Sequence, residues 1–165
     1  WLESLARQFL SLHEEIGAAK QQIHAWHLSN EVSCRLGTIP GLGPISSSAM
    51  AASVSDPDVF KNGRELAAWI GLVPRQNSTG GKQRLGKISK QGDQYLRWLL
   101  VVGAMSVIRQ AKRRGTSNMP WLDDIIARKP AKVAAVALAN KNARIIWALM
   151  KRGGTYQKPA TVPTA

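Results

Sequence analysis

A serine in a glycine-rich stretch is the residue of this sequence best placed to act as a nucleophile. Ser78 stands directly before Thr79-Gly80-Gly81, where the chain can turn sharply and present a hydroxyl without shielding side chains. Such a hydroxyl could attack a phosphodiester if a base or a metal-bound oxygen takes its proton and nearby cations neutralise the charge that develops on phosphorus. The same serine could instead cap the backbone of its own turn. Judged from its spacing to the neighbouring residues alone, the turn-capping role of Ser78 is favoured over the nucleophile.

The stretch around this serine carries positive charge without compensating acid. No carboxylate follows until Asp93. The cations of the stretch are Arg75, Lys82, Arg84, Lys87 and Lys90. A loop that only joined two helices would gain nothing from this self-repulsion, whereas a phosphodiester backbone lying across it would neutralise the charge. A disordered basic linker is the alternative, but Leu72 and Ile88 favour a loop whose two ends are anchored to the core.

A second glycine-containing turn could also contact phosphate. The run 39–45 reads Ile-Pro-Gly-Leu-Gly-Pro-Ile and precedes a helix of small residues, a pattern typical of the hairpin in a helix-hairpin-helix element. With Gly41 and Gly43 in the turn, backbone N–H groups at the start of the second helix could approach a phosphate oxygen, where the helix dipole adds about half a positive charge. This contact would not depend on base sequence. A plain turn between two helices is the alternative.

Patterns that could bind a metal are weak. His24 and His27 have one-turn spacing, but the nearest carboxylates lie on other turns, so a solvated helix face is the favoured interpretation. Asp123 and Asp124 are adjacent and point to different sides of a helix, which favours a capping role. The single cysteine, Cys34, excludes an internal disulfide framework and a multi-cysteine zinc site. The sequence therefore predicts no metal site in this chain.

The charge balance of the whole chain points to a polyanionic partner. Its 165 residues contain 23 Lys and Arg against 10 Asp and Glu, a formal net charge of +13. A membrane-binding helix would concentrate this charge in one amphipathic segment, whereas here it is spread along the chain, which favours nucleic acid. No apolar run approaches the roughly eighteen residues that span a bilayer, and no signal peptide pattern opens the chain. We therefore expect an intracellular protein with no membrane partner.

A long amphipathic helix is predicted at the start of the chain. From Leu2 to about Leu36 there is no proline, and apolar residues recur every three to four positions. At 1.5 Å per residue such a helix is about 50 Å long, more than a compact domain of this size needs. We expect residues 1–36 to form a coiled-coil arm that joins two copies of the protein. Its apolar stripe consists of Leu5, Phe9, Leu12, Ile16 and Ile23.

Residues 37–154 read as one mainly helical domain. Helices are expected from Asn62 or Gly63, from Asp93 to about Arg114, around 121–128 and from Pro130 to about Lys151. In the helix that begins at Asp93 the predicted buried stripe is Leu96, Leu99, Leu100, Val102, Met105 and Ile108. In the last helix the predicted buried stripe is Val133, Val136, Ala137, Asn140, Ile145, Trp147 and Leu149.

The remaining segments complete the predicted fold. The glycine-rich basic loop over 73–92 could close into a two-stranded ribbon across Gly80-Gly81. Residues 155–165 contain two prolines and no large apolar pattern, so we expect a disordered tail. The fold class is mainly α: a long N-terminal helix followed by a helical domain that contains a helix-hairpin-helix element and this loop. Because the chain begins at Trp1 inside a helical pattern, we expect it to be a fragment of a longer protein.

Several runs in this order resemble the C-terminal domain of insertion-sequence transposases of the 110/1111/116/902 type. The resemblance covers roughly residues 37–155, and its specificity comes from the long ordered series of motifs. The matching runs are residues 39–44, 60–75, 78–82, 84–93, 136–141 and 144–149.

The resemblance implies a bacterial DNA recombinase. In this family an N-terminal RNase-H-like domain binds Mg²⁺ through an acidic tetrad, and a coiled coil joins it to a C-terminal domain that supplies a serine. The serine forms a phosphoserine link to DNA in a site shared by two protomers, and an RNA encoded by the element guides target choice. Carried over, Ser78 is the nucleophile and Ser89 the second candidate. Since no acidic tetrad occurs here, we expect this chain alone to be catalytically incomplete, cytoplasmic and associated with the nucleoid.

Two other functions are compatible with the same residues. One is a non-catalytic helix-hairpin-helix adaptor that binds DNA or RNA, in which Ser78 is only a turn residue. The other is a basic protein associated with the ribosome. An upstream coding region with dispersed acidic residues would favour the transposase over both.

Overall fold

The chain folds mainly into helices, which confirms the predicted class. A computed structural model describes residues 1–76 and 85–157. Within these ranges the helices are α1 (Leu2–Ser29), α2 (Glu31–Leu36), α3 (Pro44–Ser53), α4 (Gly63–Trp69), α5 (Gln94–Arg114), α6 (Pro120–Arg128) and α7 (Ala131–Arg152). The strands are β1 (Pro74–Gln76) and β2 (Leu85–Ile88), and a 3-10 turn covers Pro57–Val59.

The N-terminal helix is shorter than predicted. Instead of running unbroken to Leu36, it ends at Ser29, and Asn30 adopts an extended backbone conformation. The reason is local: the Ser33 N–H donates to Asn30 Oδ1 at 2.8 Å, so this asparagine caps a new helix, α2. The junction also corrects the interpretation of His27, whose Nδ1 lies 2.7 Å from Ser33 Oγ in a half-buried contact and not on a solvated face.

Helix α1 extends away from the rest of the chain over most of its length. It has no buried residue. The first four side chains of the predicted stripe are each at least half exposed: Leu5, Phe9, Leu12 and Ile16. Ile23, the fifth, is half-buried. An apolar stripe without a cover within the described chain is what a coiled-coil arm requires, and the dimer itself stays a prediction.

The hairpin between α2 and α3 packs backbone to backbone on α5. Gly41 has φ +91°, and a Cβ built there would lie 2.9 Å from the carbonyl oxygen of Gly103. A Cβ built on Gly103 would lie only 1.9 Å from the Gly41 carbonyl oxygen. Both positions therefore need glycine for close approach, and Gly41 faces the core helix of the domain.

The core forms where α7 packs on α4 and α5. The buried face of α5 includes the predicted Leu96, Leu100 and Ile108, whereas that of α7 differs from the prediction. In α7 the buried residues are mostly small: Ala134, Ala135, Leu138, Ala139, Asn142, Ala143 and Ile146. Alanines let the helix axes approach closely, so this face fits the neighbouring helices better than a face of larger residues. The predicted stripe was therefore wrong for Val133 of α7, which is 51% exposed, and for Val102 of α5, which is 44% exposed. Ile145 and Trp147 of the α7 stripe are partly buried against the core.

The predicted ribbon is present, and helix caps lie where the sequence placed them. Strands β1 and β2 are antiparallel, with Pro74 opposite Ile88 and an irregularity before the next pair. Residues 77–84, which connect them, lie outside the described residues. Asp93 accepts from the Leu96 N–H at 2.9 Å at the start of α5, and Asn62 caps α4 in the same way.

The first residues of the predicted tail are attached to the domain. The Tyr156 N–H donates to Thr38 Oγ1 at 2.9 Å, and burial raises the pKa of the Tyr156 phenol. Residues 158–165 lie outside the described part of the chain. Among the helices that the structure describes, none combines the length and the apolar composition needed to span a bilayer.

Candidate nucleic-acid interface

A large open cleft of about 1740 Å³ lies between the ribbon, the start of α4, α6 and one face of α7. The ribbon contributes Pro74 and residues 86–88, and α4 contributes its N-terminal residues, including Arg64. Helix α6 contributes Trp121. Asn140 holds two of these walls together, because its Nδ2 group donates to the carbonyl oxygen of Leu72 at 3.2 Å, just before β1.

The cleft is positively charged throughout. Its described lining contains seven cations and no Asp or Glu: Arg64, Lys87, Lys90, Lys132, Lys141, Arg144 and Arg152. The ion pairs found in the described chain, Arg35 with Glu31 and Lys151 with Asp58, involve none of them. The potential inside the cleft is therefore not cancelled locally, and it favours an anionic ligand.

The floor of the cleft is apolar. It consists largely of the face of α7 that the sequence had predicted to be buried. The floor residues of α7 are Val133, Val136, Ala137, Ile145 and Ala148. Leu72, Pro74 and Ile88 extend the same apolar surface toward the ribbon. The cleft therefore combines cationic groups with an apolar floor.

Two tryptophans line the cleft in defined orientations. Trp147 Nε1 donates to the carbonyl oxygens of Pro57 at 3.0 Å and Phe60 at 3.1 Å, which fixes its indole. Trp121 is 38% exposed, and the ammonium group of Lys141 lies 4.2 Å from its ring centroid. This distance is that of a cation–π contact, so charge and aromatic surface are adjacent here.

The structure places some of the predicted phosphate-binding residues in this cleft and others elsewhere. Lys87 and Lys90 line it. Arg75 is exposed on β1 outside the lining, and its guanidinium donates to the Ser89 carbonyl oxygen at 3.2 Å. Ser78, Lys82 and Arg84 fall within 77–84, outside the described residues.

The hairpin glycines lie apart from the cleft. Gly41 packs against α5, and neither it nor Gly43 belongs to the lining. The Gly43 N–H already donates to Ser46 Oγ at 2.9 Å at the start of α3. A phosphate would have to displace this serine to use that amide, so the predicted contact would fall to the other amides at the start of α3.

Ser89, the second serine candidate, stands at the end of the ribbon. Its N–H donates to the carbonyl oxygen of Val73 at 2.9 Å, which continues the pairing beyond β2. No described side chain forms a hydrogen bond with its hydroxyl. A general base in hydrogen-bond contact is therefore absent from the described surroundings of Ser89.

Most of the cleft cations were missed by sequence reasoning. It did not single out Arg64, Lys132, Lys141 or Arg144 as phosphate-binding residues. A signal was present in α7, because positions 141, 144 and 152 fall within about 80° of each other at 100° per residue. A row of cations beside bulky apolar residues indicates that this face of α7 contacts a ligand and not the core.

Carboxylates do not form a metal centre in the described ranges. No group of three or more His, Cys, Asp or Glu side chains there could hold an ion. Asp123 instead organises the loop before α6, accepting from Ser117 N–H at 2.8 Å and Thr116 Oγ1 at 2.9 Å. Slight burial acts to raise the pKa of Asp123, but the hydrogen bonds from Ser117 and Thr116 outweigh it and lower the pKa.

Known proteins with similar sequences include several transposases. A Pseudomonas aeruginosa protein described as a "probable family 20 transposase" is 49% identical over 156 residues, covering 94% of this chain and 46% of that protein. The transposase for insertion sequence element IS1111A of Coxiella burnetii is 42% identical over 156 residues, covering 94% of this chain and 43% of its own length. The transposase for insertion sequence element IS1328 of Yersinia enterocolitica is 38% identical over 161 residues, covering 93% of this chain and 48% of that protein.

A family model matches the segment that builds the hairpin, the ribbon and the adjoining helices. The chain spans somewhat less than half the length of the relatives above. The family match runs from residue 33 to residue 118, more than half of the chain, and includes α3, α4 and α5. Over these residues the sequence follows the pattern of the family, and the chain therefore belongs to the Transposase IS116/IS110/IS902 family.

Proposed function

We propose that this chain is the DNA-binding part of an insertion-sequence transposase and that it supplies a serine nucleophile for DNA cleavage. The observation that carries the proposal is the cleft with seven cations and no carboxylate in its described lining. Along α7 the cations extend from Lys132 to Arg152, about 30 Å at 1.5 Å per residue, which matches on the order of nine phosphates of one B-form strand.

The ribbon connects this cleft to the proposed nucleophile. Strands β1 and β2 line the cleft and carry residues 77–84 between them. Ser78 follows Gln76, the last residue of β1, by two positions, and two residues of chain reach at most about 7 Å. DNA held in the cleft would therefore pass close to the base of the segment that contains this serine.

The proposed reaction is a phosphoryl transfer to serine. The Ser78 oxygen forms a bond to phosphorus, the bond from phosphorus to one deoxyribose oxygen breaks, and that oxygen leaves with the strand end. The serine proton passes to a general base, and cations such as Lys87 and Lys90 neutralise charge on the phosphoryl oxygens. The described carboxylates do not fit a Mg²⁺ site, so we propose that Mg²⁺ is held outside the part of the chain that the structure describes.

Two partners are proposed besides DNA. A second copy of the protein would pair through α1, and an RNA encoded by the element would guide target choice, as the family resemblance implies. The apolar stripe of α1 supports the first of these. Neither partner is needed for the binding of DNA in the cleft.

The test uses labelled DNA and the longer transposase with Mg²⁺, run on denaturing gels. The parent protein is expected to form a covalent protein–DNA adduct, and Ser78→Ala is expected to form none. The affinity for DNA should change only a few fold, because loss of one hydroxyl removes at most one hydrogen bond, about 1 kcal/mol. Ser89→Ala is the matched control and should retain the adduct. If Ser78→Ala still forms the adduct and only Ser89→Ala loses it, Ser89 is the nucleophile. If neither variant loses the adduct, the non-catalytic adaptor becomes the better description of this chain.

A further inference from the structure

The face of α7 that lines the cleft is more apolar than a phosphate-binding surface requires. Val133 is 51% exposed, and Val136, and Ile145 further along the helix, are half-buried. Of these three side chains only Ile145 packs partly against the core, because the small-residue face of the same helix forms most of it. An apolar surface that stays open next to cations is typical of a binding site.

A base-paired duplex would make little use of this floor. A duplex presents two sugar–phosphate backbones, and the faces of its bases are covered by stacking on neighbouring bases. An unpaired strand offers both chemistries at once, because each nucleotide carries a phosphate and an uncovered base face that packs on apolar and aromatic side chains.

We infer that the cleft binds an unpaired DNA strand, with its bases on the apolar floor and its phosphates against the cations. The inference rests on the proposed function and adds to it the state of the DNA that is bound. Trp121 and Trp147 supply aromatic surface within the lining. The hydrogen bonds of Trp147 hold its indole in place before a ligand arrives, which lowers the entropic cost of stacking.

An acidic amphipathic peptide has related chemistry, but it fits the cations less well. The cations recur along α7 from residue 132 to residue 152, and others project from α4 and the ribbon. A polyanion with regularly spaced charges can contact all of these groups, whereas one face of a short acidic helix reaches only part of them.

The test compares single-stranded and duplex DNA of about 12 nucleotides by fluorescence anisotropy at equal salt. The 165-residue chain is expected to bind the single strand more tightly than the duplex. Trp121→Ala should weaken single-strand binding about tenfold and change duplex binding less than twofold, because the lost contact is a stacking one. Trp121→Phe should restore most of the affinity.

Two further variants make the result independent of folding effects. Val133→Asn removes apolar surface at a position that is already half exposed, and it should also weaken single-strand binding selectively. Trp98→Ala is the matched control, because Trp98 is 57% exposed on α5 and does not line the cleft. It should leave the affinity for both forms of DNA unchanged.

The outcomes separate this inference from the proposed function. Tighter duplex binding, with Trp121→Ala acting equally on both forms, overturns the inference and leaves DNA binding intact. If the chain binds neither single-stranded nor duplex DNA, both the inference and the proposed function are overturned. Displacement of the DNA strand by a lower concentration of an RNA strand of the same sequence, or of an acidic amphipathic peptide, overturns the assignment to DNA.

Discussion

Removing two cations from α7 should make DNA binding measurably less dependent on salt. We choose Lys141→Ala together with Arg144→Ala, because both side chains line the cleft and neither takes part in an ion pair of the described chain. Alanine is the best helix former, so α7 should keep its structure. The loss of the cation–π contact of Lys141 with Trp121 is expected to cost only about 0.5–1 kcal/mol.

The magnitude follows from the number of cations. Each phosphate that a cation neutralises contributes about −0.9 to the log–log slope of affinity against salt for duplex DNA, and about −0.7 for a single strand. If all seven cleft cations contact phosphates, the duplex slope is near −6, and the affinity falls roughly 10³- to 10⁴-fold between 50 and 200 mM salt. The double variant should flatten the slope by about 1.4 to 1.8.

Gel-shift or anisotropy titrations at four or five salt concentrations measure this slope. The matched control is Lys112→Ala with Arg113→Ala, two exposed cations in the last turn of α5 that do not line the cleft. This control removes the same net charge as the α7 variant. Because both of its cations lie outside the cleft, its salt slope should stay within experimental error of the parent's. An unchanged slope in the α7 variant, or an equal change in both variants, would refute the assignment of DNA to this cleft.

Three other results are expected. Phe9→Asp should shift the protein from dimer to monomer in light scattering, because it places a charge in the apolar stripe of α1, and a parent that is monomeric at high concentration would contradict this. Gly103→Ala should lower the free energy of unfolding in urea by about 1–3 kcal/mol or more, since its Cβ would overlap the Gly41 carbonyl, whereas Gly43→Ala, with open space around its Cβ, should change it little. Asp123→Asn should lower Tm at neutral pH, and the difference from the parent should begin to shrink as the pH falls below about 4, because a lowered carboxyl pKa stabilises the fold above the unfolded pKa and stops doing so once the group is protonated in the folded state. A difference that stays constant as the pH falls well below about 4 would contradict this reasoning.

Elements set by short-range hydrogen bonds were predictable. Asp93 and Asn62 cap helices where expected, because an N-cap needs only a side chain and N–H groups two or three residues ahead. The same rule could have revealed the break at Asn30, whose side chain caps α2. That break was missed because the apolar periodicity continues through it.

Elements set by contacts between distant segments were not predictable. The glycines of the 39–45 turn were interpreted as a phosphate contact, but Gly41 is needed where the hairpin backbone meets Gly103, which lies 62 positions later in the sequence. A glycine pattern indicates that something approaches closely. It does not say whether this is a ligand or another part of the chain.

The sequence by itself determined the helical class, the starts of α4 and α5, the ribbon and the excess of positive charge, because these depend on neighbours within a few residues or on composition. Only the tertiary structure decided which face of α7 is buried. That helix is apolar over most of its circumference, and packing on α4 and α5 selects the alanine face, since small side chains allow the closest approach. The larger apolar residues are thereby left in the cleft, which Arg64, Lys87 and Lys141 line from three separate elements.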